Sequence, residues 1–247
     1  MKESKALTII VPALNEEQNI RPVCEALVRS ASQCLSSYEI LVFDDASQDG
    51  TADVVNALRK KYPQITLIQN PVTRGLGDNY RDGAFRARFD FMTMVPGDNE
   101  VVVESLQEMF RQLGSADLLL GHFTNPEVRP WARRVISRLY VRLVNFLFGL
   151  KARYYNGPSI VRTDLVRRFL PKTNSFAYMT VVAVQAIKAG YRYQEMPLSL
   201  RERRFGRSKA FRLKNVVRVL RDLGVLYWKL AIWRSRQAHG KQEAVPR

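Results

Sequence analysis

The chain has 247 residues, 46% of them apolar, and a formal charge of +16 near neutral pH. That length suits one large domain or a domain with an appendage, and that apolar fraction excludes wholesale disorder. The charge is unevenly placed: residues 1–128 carry 12 Lys and Arg against 18 Asp and Glu, whereas residues 129–247 carry 27 against 5. A boundary near Pro126–Pro130 thus divides an acidic half from a basic one, and the basic half suggests a polyanionic partner, nucleic acid or an anionic membrane face.

Short runs rich in β-branched or aromatic residues at 6–12, 38–43, 65–69, 90–95 and 116–121 predict buried strands of a parallel sheet. The stretches between them predict helices at 16–34, capped by Asn15, and at 51–61, 77–89 and 101–113. Such alternation predicts a doubly wound α/β sheet. After Gly121 the rhythm changes. Residues 131–150 predict a long helix in which Arg134, Arg138 and Arg142 recur every four positions among Val135, Ile136, Leu139, Leu143, Phe146 and Leu147. A strand near 157–162, a helix at 177–189, a strand near 192–198, a basic loop at 201–209 and a last helix at 212–235 follow.

In that last helix Lys214, Arg218, Arg221 and Lys229 form a stripe beside Val216, Val217, Leu220, Leu223, Tyr227, Leu230 and Trp233. The pattern suits a helix lying in the headgroup layer, with a buried packing helix as the alternative. The expected organisation is one domain over 1–210, with 131–150 as an amphipathic, membrane-interfacial insertion. A basic amphipathic helix and frayed tail over 211–247 complete it. No stretch reaches the roughly 20 uncharged residues that span a bilayer, and the run at 6–14 reads as a strand rather than a leader. A soluble or peripheral protein is expected. Cys24 and Cys34 lack zinc spacing and read as small buried hydrophobes.

Four patterns stand where the first four strands give way to loops: Pro12-Ala13-Leu14-Asn15-Glu16, Asp44-Asp45-Ala46-Ser47-Gln48-Asp49-Gly50-Thr51, Thr73-Arg74-Gly75-Leu76-Gly77 and Pro96-Gly97-Asp98-Asn99-Glu100. In an open parallel sheet the ligand crevice lies at those carboxyl ends. They predict one site, assembled from four loops, for a nucleotide and a cation. Asp44 and Asp45 suit base N–H groups or ribose hydroxyls; the alternative is that Asp45, Ser47 and Asp49 make the turn and cap the next helix. Asp98 and Glu100, two apart in an extended turn, can both face one Mg²⁺ or Mn²⁺ ion. Gly75 and Gly77 do not make a dinucleotide fingerprint, because the spacing to Gly83 is wrong and the pattern follows the third strand.

With a fifth pattern, Arg203-Arg204-Phe205-Gly206-Arg207-Ser208-Lys209, the chain resembles the family 2 glycosyltransferases, in particular the polyprenyl- (dolichol-) phosphate mannosyltransferases, from about Leu7 to Val219. The resemblance implies a GT-A fold, a mainly parallel sheet flanked by helices with C-terminal amphipathic helices. It implies a nucleotide sugar held by Pro12, Leu14, Glu16, Asp44, Asp45, Arg74, Gly75 and Asp98, with Asp98 catalytic and, together with Glu100, a ligand of Mg²⁺ or Mn²⁺. Arg203, Ser208 and Lys209 correspond to a flap that contacts phosphates, and Arg133 or Arg134 adds to the acceptor site. Four departures stand out. Pro96 occupies the first acidic position of Asp-x-Asp, and Gly121-His122-Phe123 lacks an acceptor-binding arginine. Asn156-Gly157-Pro158 replaces Ser-Gly, and Val181 stands where an acidic residue is frequent.

The implied activity is inverting transfer of a sugar, mannose favoured, to a polyprenyl phosphate by a protein attached to the cytoplasmic face of a membrane. GDP-mannose leads as donor, followed by UDP-glucose or UDP-N-acetylhexosamine. A UDP-sugar enzyme with a soluble or glycan acceptor is the alternative, and a basic nucleic-acid- or membrane-binding non-enzyme the minor one. The chain has no helix-turn-helix, zinc or RNA-recognition signature, so no nucleic-acid partner is expected.

Overall fold

The computed structural model describes residues 5–170, 175–202 and 213–238. The first half alternates: β1 (Ala6–Ala13), α1 (Glu17–Cys34), β2 (Ser37–Asp44), α2 (Thr51–Lys61), β3 (Ile65–Gln69), α3 (Leu76–Arg86) and β4 (Phe91–Met94). A 3₁₀ turn, Val103–Leu106, leads into α4 (Gln107–Arg111) and β5 (Leu118–Phe123). Then come α5 (Trp131–Phe148), β6 (Ser159–Arg162), α6 (Thr163–Phe169), α7 (Tyr178–Lys188), β7 (Tyr193–Leu198) and α8 (Leu213–Ala238).

The seven strands form one sheet in the order β3-β2-β1-β4-β6-β5-β7. Pairs β1–β2, β1–β4, β2–β3 and β5–β7 are parallel, and β6 runs antiparallel to both β4 and β5. The sheet is therefore mixed and mainly parallel, as the sequence predicts. Side-chain alternation sends Leu7, Ile9, Val11, Ile40 and Val42 into a core with α1, α2 and α4. Ile10, Leu41, Phe43, Met92, Leu118 and Leu120 face the other way, into a core with α3, α5, α6, α7 and α8. Both faces of the sheet are covered, which explains the continuous apolar runs of β1 and β2. At Gly83 a β-carbon would sit 2.2 Å from Ile10 Cδ1, so that glycine lets α3 lie against the sheet.

Three differences from the predicted elements have local causes. The helix expected at 101–113 shrinks to the 3₁₀ turn and α4, because Val101 forms a bridge with Leu200 and Val102 N–H donates to the Ser199 carbonyl. The seven residues of α6 follow β6 without an intervening loop, leaving no sequence boundary. The last helix is not only amphipathic surface: Leu223, Leu226 and Leu230 are buried in the same core as Val144 and Phe148 of α5.

Candidate active site

Each of the first four strands ends in a loop that carries one left-handed residue: Asn15 (φ 58°), Ala46 (φ 65°), Gly75 (φ 90°) and Asn99 (φ 57°). Glycine accepts that conformation freely and asparagine readily, whereas an alanine there costs roughly 1–2 kcal/mol. Such residues cluster at sites where the surrounding structure holds them. Here the holding is visible. Asn15 N–H donates to Ser47 Oγ (2.9 Å) and Gln48 N–H to Asn15 Oδ1 (2.8 Å), so Asn15 staples the first loop to the second rather than capping α1. Glu16 N–H donates to Thr51 Oγ1 (2.9 Å), and Gly97 N–H to the Pro12 carbonyl (3.0 Å).

Asp45 organises the third loop. Its Oδ1 accepts from Asn70 Nδ2 (2.8 Å) and Arg74 N–H (2.9 Å), and its Oδ2 from Gly75 N–H (2.9 Å). Asp44 Oδ1 accepts from Ser47 N–H (3.0 Å), closing the β2 turn. Sequence reasoning aimed both carboxylates at the nucleotide. In the structure backbone N–H groups hold both, joined at Asp45 by the Asn70 amide, and Asp44 is not among the residues of the cavity wall.

A cavity of about 980 Å³ opens at these strand ends. Pro12, Leu14, Glu16, Asp45, Arg74, Gly75, Asp98, Glu100 and Arg133 line it, so nine of the expected residues meet at one place. Arg134 does not: it sits half-exposed on α5, outside the lining. Arg203, Ser208 and Lys209 lie outside the described residues. The cavity continues past the loops into the space between α5 and α8, where Ile136, Leu139, Tyr140, Leu143, Val219 and Leu220 form its walls.

Glu100, expected as a metal ligand, makes two ion pairs at the cavity wall. Its Oε1 accepts from Arg133 Nη1 (2.8 Å) and its Oε2 from Arg129 Nη2 (3.1 Å), with the Glu100 side chain only 8% exposed. Burial pushes this carboxyl's pKa up, but the hydrogen bonds and charges of Arg133 and Arg129 outweigh it and hold the group below the ordinary glutamate range. The carboxylate expected on a metal is here the anchor of two arginines, because two guanidinium forks reach it directly. Sequence reasoning missed Arg129. Its guanidinium lies 4.5 Å over the Phe123 ring, at the segment noted for lacking an arginine. The available signal was the Arg129/Arg133 spacing across the start of a helix.

The donor set still suits a hard cation. Asp98 and Glu100 both face the cavity, and Glu100 N–H donates to Asp98 Oδ1 (3.2 Å). Among the described residues no group of three His, Cys, Asp or Glu side chains is placed to hold a metal. One or two carboxylates, completed by water and substrate phosphates, is the pattern Mg²⁺ uses in phosphate-handling sites.

The outer faces of α5 and α8 are apolar. Of the 14 exposed large hydrophobic residues described, 12 lie on these helices, among them Trp131, Leu139 and Phe146 on α5 and Val217, Trp228 and Ile232 on α8. Arg138, Arg142, Arg218, Arg221 and Lys229 are exposed beside them. Among the described residues no helix is long and apolar enough to cross a membrane.

The fold is of the GT-A type. It superposes on glucosyl-3-phosphoglycerate synthase of Mycobacterium tuberculosis, in complex with phosphoglyceric acid, with a TM-score of 0.62 at 15% identity, over 92% of this chain and 77% of that one. Staphylococcus aureus TarS in complex with UDP-GlcNAc gives 0.57 at 18% identity, over 84% and 61%. The profile of glycosyl transferase family 2 matches residues 8–170, and the chain belongs to that family. A dolichyl-phosphate β-glucosyltransferase of Trichomonas vaginalis is 30% identical over 113 residues, 44% of this chain and 34% of that protein. Dolichol-phosphate mannosyltransferase of Saccharomyces cerevisiae is 29% identical over 163 residues, 60% of this chain and 61% of that protein. This chain thus spans less than two thirds of either. An undecaprenyl-phosphate mannosyltransferase of Micrococcus luteus is 26% identical over 219 residues, 83% of this chain and 87% of that protein.

Proposed function

We propose that this chain is an inverting glycosyltransferase that moves a sugar, mannose favoured, from a nucleoside diphosphate to a polyprenyl phosphate, while bound peripherally to the cytoplasmic face of a membrane. The observation that carries this reading is the continuity of the cavity from the four strand-end loops to the gap between α5 and α8, the helices with the apolar outer faces. A diphosphate donor suits the loop end, where Asp98, Arg74 and the Gly75 turn meet. A lipid phosphate suits the helix end, because basic residues beside exposed Trp and Leu favour an anionic lipid surface. The relatives named for dolichol and undecaprenyl phosphate agree with it.

Asp98 would hold a Mg²⁺ or Mn²⁺ ion, which would supply positive charge to the departing diphosphate. A phosphate monoester, with a second pKa of about 6, is largely ionised near neutral pH. Its oxygen therefore attacks the anomeric carbon without a strong general base, while the bond from that carbon to the diphosphate oxygen breaks on the opposite face. Val181, where the family often has an acidic residue, is buried in the core at 4% exposure and is not among the cavity-lining residues, so this position supplies no base. Arg133, and the flap residues Arg203, Ser208 and Lys209 read from the sequence, are assigned to phosphate binding.

The test is a panel of GDP-mannose, UDP-glucose and UDP-N-acetylglucosamine with Mn²⁺ and a polyprenyl phosphate in vesicles. Lipid-dependent release of one nucleoside diphosphate is expected. Transfer to soluble alcohols or glycans in preference to the lipid would overturn the acceptor assignment. Salt-sensitive binding to anionic vesicles, with none to duplex DNA, separates the enzyme from a nucleic-acid binder.

A further inference from the structure

Glu100 stands between two places where charge is bound. On one side its own backbone N–H donates to Asp98 (3.2 Å). On the other its carboxylate holds Arg129 and Arg133, both lining the cavity. Arg129 is fixed from several directions: its guanidinium rests on Phe123, Nη1 lies 3.4 Å from the Tyr154 hydroxyl, and Nε is buried without a partner. At this point two guanidinium charges share one carboxylate, while Asp98, Glu16 and Asp45 also line the cavity. The N-terminus of α5, which starts between the two arginines with no acidic residue in its first turn, adds a positive field beside them. The wall there is therefore suited to a second anion, and a phosphate with three acceptor oxygens satisfies both forks better than one carboxylate does.

We propose that Glu100 is a stand-in anion: a phosphate group entering the cavity takes Arg129 and Arg133, displaces the Glu100 carboxylate, and frees it for the divalent cation beside Asp98. Glu100 is a positioning residue in one state and a metal ligand in the other. The proposal rests on the reading above that Asp98 faces a cation and that the cavity admits a phosphate acceptor. Without phosphate, moving Glu100 to the cation would leave two guanidinium groups unpaired in a largely buried wall, which is strongly unfavourable. With phosphate in place that cost vanishes. Phosphate and cation therefore bind with positive coupling, and each raises the affinity of the other by the same factor.

The experiment is a titration of Mn²⁺ into the full chain, followed by electron paramagnetic resonance of the free ion and corrected by protein-free blanks. It is run with and without saturating citronellyl phosphate, and separately with inorganic phosphate. Mn²⁺ affinity is expected to rise about tenfold with the phosphate present. A rise with both probes assigns the effect to the phosphate group; a rise with citronellyl phosphate alone assigns it to a lipid-borne phosphate. In Glu100→Gln the enhancement should vanish while Mn²⁺ still binds. In Arg129→Gln, where Glu100 is held by one arginine fewer, affinity for Mn²⁺ without phosphate should rise and the enhancement shrink. That variant carries the test if Glu100→Gln does not fold. Independent binding of phosphate and Mn²⁺ to the wild type overturns the proposal and leaves the function above intact. So does undiminished enhancement in Glu100→Gln, which would mean direct contact of phosphate with the ion. A chain that binds neither Mn²⁺ nor phosphate overturns both.

Discussion

The two ends of the cavity are built by different means. At the loop end, left-handed backbone and short hydrogen bonds between neighbouring loops fix the shape, and few side chains there have freedom left. At the helix end the walls are side chains of α5 and α8, held by packing below and bare to the surroundings above. The first kind of wall is suited to a constant ligand such as a diphosphate. The second adapts to a long, featureless one.

The sharpest way to break this contrast is at the loop end. Asp98→Ala is expected to lower kcat for sugar transfer by roughly 100-fold or more, as loss of a charge that stabilises a leaving group does. Full activity of that variant in EDTA would remove the cation from the reading. Next in size is Asp45→Ala, which strips three donors of their acceptor. A loss of about 2–4 kcal/mol in urea unfolding and weaker nucleotide-sugar binding are expected; an unchanged third loop would show that Asp45 is not its organiser.

At the helix end, the double variant Trp131→Ser, Trp228→Ser should lower partition onto anionic vesicles about tenfold, since each exposed indole loses its apolar burial. Nucleotide-sugar affinity should stay put, and a parallel drop in it would mean the two ends are not separable. The smallest expected effect is at the junction. The depressed pKa of Glu100 means its ion pairs stabilise fully above about pH 4.3, the ordinary glutamate value, and are lost as pH falls through the lower folded value. The stability gap between wild type and Glu100→Gln, followed by urea melts, should therefore narrow on acidification below that pH.

The same contrast governs what was legible in the sequence. The loop end is encoded locally: Pro12 to Glu16, Thr73 to Gly77 and Pro96 to Glu100 each combine a strand end with turn residues, so their assembly follows from the parallel sheet alone. Asp44 bonds within its own turn, but the partners of Asp45, Asn70, Arg74 and Gly75, come from a later loop that a linear pattern does not bring to it. The insertion of β6 between β4 and β5 is invisible for the same reason. Arg129 acquires meaning only beside Glu100 and Phe123, 29 and 6 positions earlier in the chain. In α8, spacing alone could not tell Leu223 and Leu230, which face the core, from Leu220, which does not.

The topology also sets how the fold carries mechanical load. The two ends of α5 run on into β5 and β6, which are hydrogen-bonded neighbours inside the sheet. Both strands leave the sheet for α5 at the same end, Leu120 beside Ser159, so a pull on α5 along the strands loads β5 and β6 together and passes to their outer pairs, β5–β7 and β4–β6, where several bonds must yield together. The grip of α8 is of another kind: Leu223, Leu226 and Leu230, with Asp222 on the Ser175 hydroxyl, can let go one side chain at a time. Under the same tension α5 acts as a mooring and α8 as a zip.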